Sequence, residues 1–216
     1  MAAPSKAGAI ERIDKDSVRG FLHRPSAPTG QALVLTHGAG GDCDSPLLQA
    51  VAGAFAAAGV LVLRCDLAFR QRRPSGPPSP SGAATDRESL KVAAAMARSL
   101  APGALFVGGQ SYGGRQASML AADEPALAAA LLLTSYPLHP PGKPAQLRTA
   151  HFPKLRTRSV FVHGTADPFA TSEELAAAVA LIRAPTKVVS VEGAGHDLKR
   201  GRFHPDAMVA ALLDRA

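Results

Sequence analysis

Tryptophan is absent from the 216 residues, tyrosine occurs twice, and the only cysteines are Cys43 and Cys65. Two cysteines are too few for a disulfide framework, and with no second ligand pair they do not match a structural zinc site. They read as reduced, partly buried thiols. No apolar run is long enough to span a membrane; the longest, AVAGAFAAAGVLVL from Ala50 to Leu63, is broken by Gly53 and Gly59 and reads as helix, turn and strand. The opening MAAPSKAGAIERIDKD holds neither the apolar core nor the cleavage signal of a secretory leader, so a cytoplasmic location is the default expectation. Acidic residues are the scarcer sign, 17 against 24 Lys and Arg, giving a net charge of +7. Such an excess suits nucleic acid, an anionic membrane surface or an acidic small substrate. Much of it is arginine scattered among loops, with no aromatic-interleaved basic stripe, zinc-finger spacing or recognition-helix pattern, so neither nucleic acid nor membrane is expected as a partner.

What is present is hydrophobic bulk, 46% of the residues, spread through short Ala, Val and Leu runs that can fill a three-layer core. One domain over residues 1–216 is expected. From Gln31 onward, strand-like runs alternate with Ala-rich helical stretches. ALVLT, VLVLRC, ALFVGG, AALLLTS, SVFVHG and TKVVSVEG make six strands, each separated by a helix. Helices are predicted near Pro46–Ala58, Asp86–Leu100, Tyr112–Ala122, Ser172–Ile182 and Pro205–Leu213. Several strands are apolar at nearly every position, as strands covered on both faces must be, so the sheet should be parallel and doubly wound. AIERI and VRGFLH, within residues 1–30, form an antiparallel lead-in hairpin. Ala68–Thr85 and Tyr136–Arg158, rich in Pro, Gly and Arg, break the rhythm just after strands and should be loops beside the site.

The string Gly109-Gln110-Ser111-Tyr112-Gly113 fits G-x-S-x-G, whose glycines make room for a strained turn that lifts a serine hydroxyl above the sheet edge. With 20 glycines in the chain the string arises easily by accident, and its context carries the argument. An apolar strand runs straight into it and a helical stretch leaves it. A serine needs a base to take its proton, and the base needs an acid behind it. Asp167, after SVFVHG, and His196, after TKVVSVEG, both lie at strand carboxyl ends, with Asp197 and Glu192 as reserve acids. Backbone donors for a developing oxyanion are expected from Tyr112 and Ala39, the latter in the small-residue loop His37-Gly38-Ala39-Gly40-Gly41. His37, Gly38 and Gly40 of that loop should border the substrate. No Lys-Ser or Lys-Thr follows Gly41 as a phosphate-binding loop requires, and neither cofactor nor metal is expected. Phe169, Tyr112, Leu138 and His139 could line a pocket, and Arg64, Arg70, Arg72 and Arg73 could select an anionic group, although a solvated loop is the plainer reading of the four arginines.

THGAGGD, VLRCD, GGQSYGG, SYPLHPPGKP, HGTADPF and GAGHDL together resemble a small lid-less α/β-hydrolase family related to the dienelactone hydrolases. That family includes testis-expressed hydrolase-like proteins and a hydrolase-like subunit of the non-specific-lethal histone-acetyltransferase complex. The resemblance covers nearly the whole chain and implies an α/β-hydrolase fold without a cap domain. It also implies a triad of Ser111, Asp167 and His196, in the chain order usual for that fold, and an oxyanion loop at His37–Gly41. It implies no particular substrate. Dienelactone hydrolases proper carry Cys where this chain has Ser111, so lactone specificity does not carry over. The expected activity is hydrolysis of a small ester, thioester or amide through an acyl-enzyme. The alternative is a catalytically silent, partner-binding scaffold, since the family also has non-catalytic members.

Overall fold

A computed structural model describes residues 8–199 and 203–214. The chain opens with β1 (Ala9–Lys15) and β2 (Val18–Arg24), paired antiparallel so that Lys15 faces Val18. Asp16 and Ser17 form the two-residue turn with φ of 52° and 62°, the left-handed pair that suits the twist of a tight hairpin. Six strands then run parallel: β3 (Ala32–Thr36), β4 (Leu61–Cys65), β5 (Leu105–Gln110), β6 (Ala130–Thr134), β7 (Arg158–Gly164) and β8 (Thr186–Val191). Their order, β1-β2-β4-β3-β5-β6-β7-β8, makes one eight-stranded sheet, with β2 antiparallel to β4.

Residues of β3, β4 and β6 are buried at every position, as the unbroken apolar runs require. On one face, α1 (Pro46–Ala57) and α6 (Pro205–Leu213) press Leu48, Val51, Phe55, Met208 and Leu212 against Leu33, Leu35, Val62 and Val160. The other face carries α3 (Ala83–Leu100), α4 (Tyr112–Asp123) and α5 (Ser172–Val179), whose Leu90, Leu120 and Leu175 cover Val34, Leu63, Val107 and Leu133. Each such leucine contributes about 1.5–3 kcal/mol on burial, so the two faces carry most of the fold's stability. β8 differs, being an edge strand exposed at much of its length.

Three local expectations are corrected. No α-helix separates β6 from β7; a long irregular segment with one 3-10 turn at Phe152–Lys154 makes that crossover, held by Tyr136, whose hydroxyl donates to the Arg148 carbonyl at 2.8 Å. The supposed loop at 68–85 contains the short helix α2 (Ala68–Arg72) and a 3-10 turn at Pro80–Gly82. And α3 begins at Ala83, three residues before the expected start near Asp86; the Asp86 carboxylate turns inward and accepts from the Phe69 N–H at 2.9 Å and the Tyr112 hydroxyl at 2.8 Å.

The chain leaves β3 toward β4 on one side and enters β5 on the other, so the sheet order reverses between β3 and β5. The loops leaving their carboxyl ends diverge there and open a crevice. The His37–Gly41 loop follows β3 and Ser111 follows β5, which brings the two together.

Candidate active site

Ser111 occupies the sharp turn between β5 and α4 with φ 50° and ψ −114°, a conformation that costs a non-glycine residue on the order of 1–3 kcal/mol. Neighbouring contacts impose it. Its N–H donates to the Thr134 carbonyl at 2.9 Å, and the Gly113 N–H donates to the His37 carbonyl at 3.1 Å, pinning the first turn of α4 to the end of β3. A Cβ on Gly113 would stand 2.6 Å from that carbonyl oxygen, so only glycine lets the helix start so close to the neighbouring loop. Ser111 starts the helix without a side-chain cap, which leaves its Oγ for another partner.

That partner is His196. Its Nε2 lies 2.8 Å from Ser111 Oγ, and its Nδ1 lies 2.8 and 3.0 Å from the two carboxylate oxygens of Asp167. The turns after β7 and β8 are tied by the Ala166 N–H donating to the Ala194 carbonyl at 2.9 Å, which brings Asp167 and His196 together across 29 residues of chain. The Asp167 side chain is fully buried and also accepts from the Phe169 N–H at 2.9 Å. A buried carboxylate facing Nδ1 favours the tautomer with the proton there and an acceptor lone pair on Nε2 toward the serine. Phe169 stacks on the imidazole with centroids 4.1 Å apart and holds the ring plane. Neither reserve acid joins this chain: Asp197 accepts from the Lys199 N–H, and Glu192 from the Thr165 hydroxyl.

The β3 loop lies against the serine. A Cβ on Gly38 would sit 3.4 Å from Ser111 Cβ, while Gly40 faces open space. Among the described residues, no protein acceptor takes the Ala39 or Tyr112 N–H. Both residues border the cleft that contains Ser111, and Tyr112 opens α4, where the helix dipole adds partial positive charge. Such a pair of free donors can serve an anionic oxygen.

The cleft holds about 460 Å³. One wall is the segment Pro77-Pro78-Ser79-Pro80; Met119, Arg115 and Gln116 of α4, together with Pro137, Arg148 and Phe169, supply the rest. Of the residues expected to line it, Tyr112 and Phe169 do. Leu138 is instead fully buried in the core, and His139 turns away to Glu174 at 3.2 Å and to the Pro140 carbonyl at 2.8 Å.

Three expected substrate contacts are structural. His37 is fully buried; its Nε2 accepts from the Leu67 N–H at 3.2 Å, so its Nδ1–H donates to the Gly38 carbonyl at 2.8 Å. Burial holds its pKa below the ordinary imidazole value, in keeping with a neutral strut between the β3 and β4 loops. Arg64, 3% exposed, donates to His23 Nε2 at 2.8 Å and to the Cys43 carbonyl, and its guanidinium lies over the Phe21 ring. It serves the hairpin side of the sheet and does not border the cleft. Arg70, also 3% exposed, donates to the carbonyls of Gly41 at 2.8 Å, Ala39 at 3.0 Å and Gly76 at 3.3 Å. It therefore fixes the backbone of the loop that presents the Ala39 N–H. Arg73 donates to the Pro77 carbonyl and steadies the proline wall.

Arg115, Gln116 and Arg148 escaped the reading of the sequence. Arg115 had a usable signal, since it lies four residues after Ser111 and a helix returns to the same face at that spacing. Arg148 had none, because an irregular segment carries no period.

Solved structures share this architecture. Dienelactone hydrolase from Anabaena variabilis aligns with a TM-score of 0.73 at 19% identity over 96% of each chain. Est1E from Butyrivibrio proteoclasticus, with ferulic acid bound, gives 0.71 at 18% identity, covering 94% of this chain and 96% of its own. XC6422 from Xanthomonas campestris, described as a serine hydrolase without lid, gives 0.68 at 18% identity, covering 97% and 93%. At these identities the likeness is one of fold. The sequence itself matches the model of the alpha/beta hydrolase domain over residues 29–214, nearly the whole chain, and this protein belongs to that family.

Proposed function

We propose that this chain is a serine hydrolase that cleaves small esters, with thioesters or small amides as related substrates, through an acyl-enzyme on Ser111. The observation that carries the reading is the unbroken hydrogen-bond chain from Asp167 through His196 to Ser111 Oγ. His196 takes the serine proton as Oγ attacks the carbonyl carbon, and the buried Asp167 stabilises the imidazolium that forms. The Ala39 and Tyr112 N–H groups receive the oxyanion; a donor of this kind is typically worth about 3–4 kcal/mol in the transition state. His196 then returns the proton to the leaving alkoxide, and a water activated by the same imidazole attacks the acyl-enzyme to release the acid and free Ser111.

Labelling by a fluorophosphonate probe tests the reading, followed by turnover of a short p-nitrophenyl ester series. Wild type should be labelled, and Ser111→Ala and His196→Ala should not. Asp167→Asn should remain folded and lose about 10³–10⁴ in kcat through a misplaced imidazole proton. A well-folded wild type that neither labels nor turns over any ester would refute the proposal and favour the silent scaffold.

A further inference from the structure

One helical turn beyond Ser111 the cleft changes character. Arg115 of α4 and Arg148 of the β6–β7 segment both border it, and among the described residues neither forms an ion pair with a carboxylate. Arg115 Nε is buried without a hydrogen-bond partner. Arg148 donates to the Pro137 carbonyl only at a long 3.3 Å. Beside them Gln116 is fully buried, and its Oε1 accepts from Arg87 Nη1 at 3.0 Å. That contact settles which way the amide points, because a guanidinium can only donate. Gln116 Nε2 is thus left as a second buried donor without an acceptor on the same cleft.

Buried polar groups are nearly always satisfied, and an orphaned one costs roughly 1–3 kcal/mol, more if charged. Here two guanidinium groups and an amide, donors all, border one cavity with no acceptor for the orphaned atoms. Burial chiefly, and then the charge of Arg115, hold Arg148 below the ordinary guanidinium range. Asp86, next to the site, does not relieve them, being engaged by the Tyr112 hydroxyl and the Phe69 N–H. The orphaned Arg115 Nε and Gln116 Nε2 are sealed from the cleft, whereas Arg115 and Arg148 are only partly buried and border it, so an anion entering there would meet two guanidinium groups that no carboxylate among the described residues neutralises.

We propose that Arg115 and Arg148, with Gln116 packed behind them, form an anion subsite for a carboxylate or phosphate carried by the substrate of Ser111. This rests on the hydrolase reading above and narrows it: preferred esters bear an oxyanion besides the scissile bond. Arg64 and Arg70, bound to His23 and to loop carbonyls, take no part in it.

Isothermal titration on the Ser111→Ala chain, where no ester is consumed, tests the subsite with three probes: monomethyl glutarate, methyl phosphate and the uncharged dimethyl glutarate. At least one anionic probe should bind tenfold or more tighter than the diester, and which one does so separates carboxylate from phosphate. Adding Arg115→Met or Arg148→Met should each weaken that binding by about tenfold or more, the size of a charge-assisted hydrogen bond. Both variants should stay folded with a midpoint near that of the parent, since among the described residues neither arginine is in an ion pair; if one fails to fold, the other carries the test. Equal affinity for charged and uncharged probes, or anion binding indifferent to both substitutions, overturns the subsite. Fluorophosphonate labelling of the native chain keeps the two ideas apart: labelling at Ser111 without anion preference removes the subsite alone.

Discussion

Arg70 offers a sharp way to separate a structural arginine from a substrate-binding one. Its guanidinium is 3% exposed and spans the carbonyls of Gly41, Ala39 and Gly76, over the ring of Phe69. Arg70→Met keeps the stem packed and deletes the donors. The two short bonds, at 2.8 and 3.0 Å, are charge-assisted and worth about 1.5–3 kcal/mol each. Ala39 and Gly41 are only partly buried, so water recovers part of that loss and the low end applies, about 3 kcal/mol in all. For a chain of this size this lowers the thermal midpoint by roughly 6–12 °C. The loop that aims the Ala39 N–H would loosen, so kcat for a neutral p-nitrophenyl ester should fall about tenfold, a fraction of what deleting an oxyanion donor outright costs. KM should hardly move, and the preference for charged over uncharged esters should stay as in wild type. Calorimetry together with steady-state kinetics on a matched pair of charged and neutral esters checks this. Unchanged midpoint and kcat, with KM raised only for the charged ester, would refute the argument and return Arg70 to the substrate.

Two further outcomes follow from close contacts elsewhere. Gly113→Ala places a methyl group 2.6 Å from the His37 carbonyl and 2.7 Å from Thr36 Cγ2, so α4 must retreat from β3; we expect a stability loss of about 1–3 kcal/mol and at least a hundredfold slower fluorophosphonate labelling of Ser111, and wild-type labelling would contradict this. His23 is held neutral with its pKa pushed down to about 4, chiefly by burial and then by Arg64, while the unfolded chain protonates near 6.5. The unfolded state therefore binds the extra proton, and the stability this group contributes is present above about pH 6.5 and is lost toward pH 4, at up to about 1.4 kcal/mol per pH unit. His23→Gln, which keeps an acceptor for Arg64 but cannot titrate, should flatten that part of the profile in urea melts at pH 5, 6 and 7; parallel profiles would remove His23 as the cause.

The parallel strands were legible because burial on both faces leaves an unbroken apolar run; Ser111 and Asp167 stood out because each follows such a run, and His196 because it follows a glycine-containing turn past the last strand, an exposed edge strand. Helix limits were legible where Pro opens the helix, as at Pro46 and Pro205. They failed at Asp86, which looks like a start signal but spends its carboxylate on Phe69 and Tyr112. Arg64 and Arg70 failed for a related reason. An arginine at or just past the carboxyl end of a strand looks solvated until the fold reveals the distant carbonyls it serves, and Cys43, Gly41 and Ala39 lie 21 to 31 residues away. The β6–β7 segment was correctly expected near the site, yet nothing periodic in it could single out Arg148 from Arg156 or Lys143.

The wall Pro77-Pro78-Ser79-Pro80 has a thermodynamic consequence. Each proline ring fixes its own φ and restricts the residue before it, so the segment gives up little conformational freedom when a guest arrives. A cleft bounded in this way favours a guest that matches its outline, which is received at small entropic loss, over a broader one, for which the restricted backbone of the wall has fewer conformations to offer.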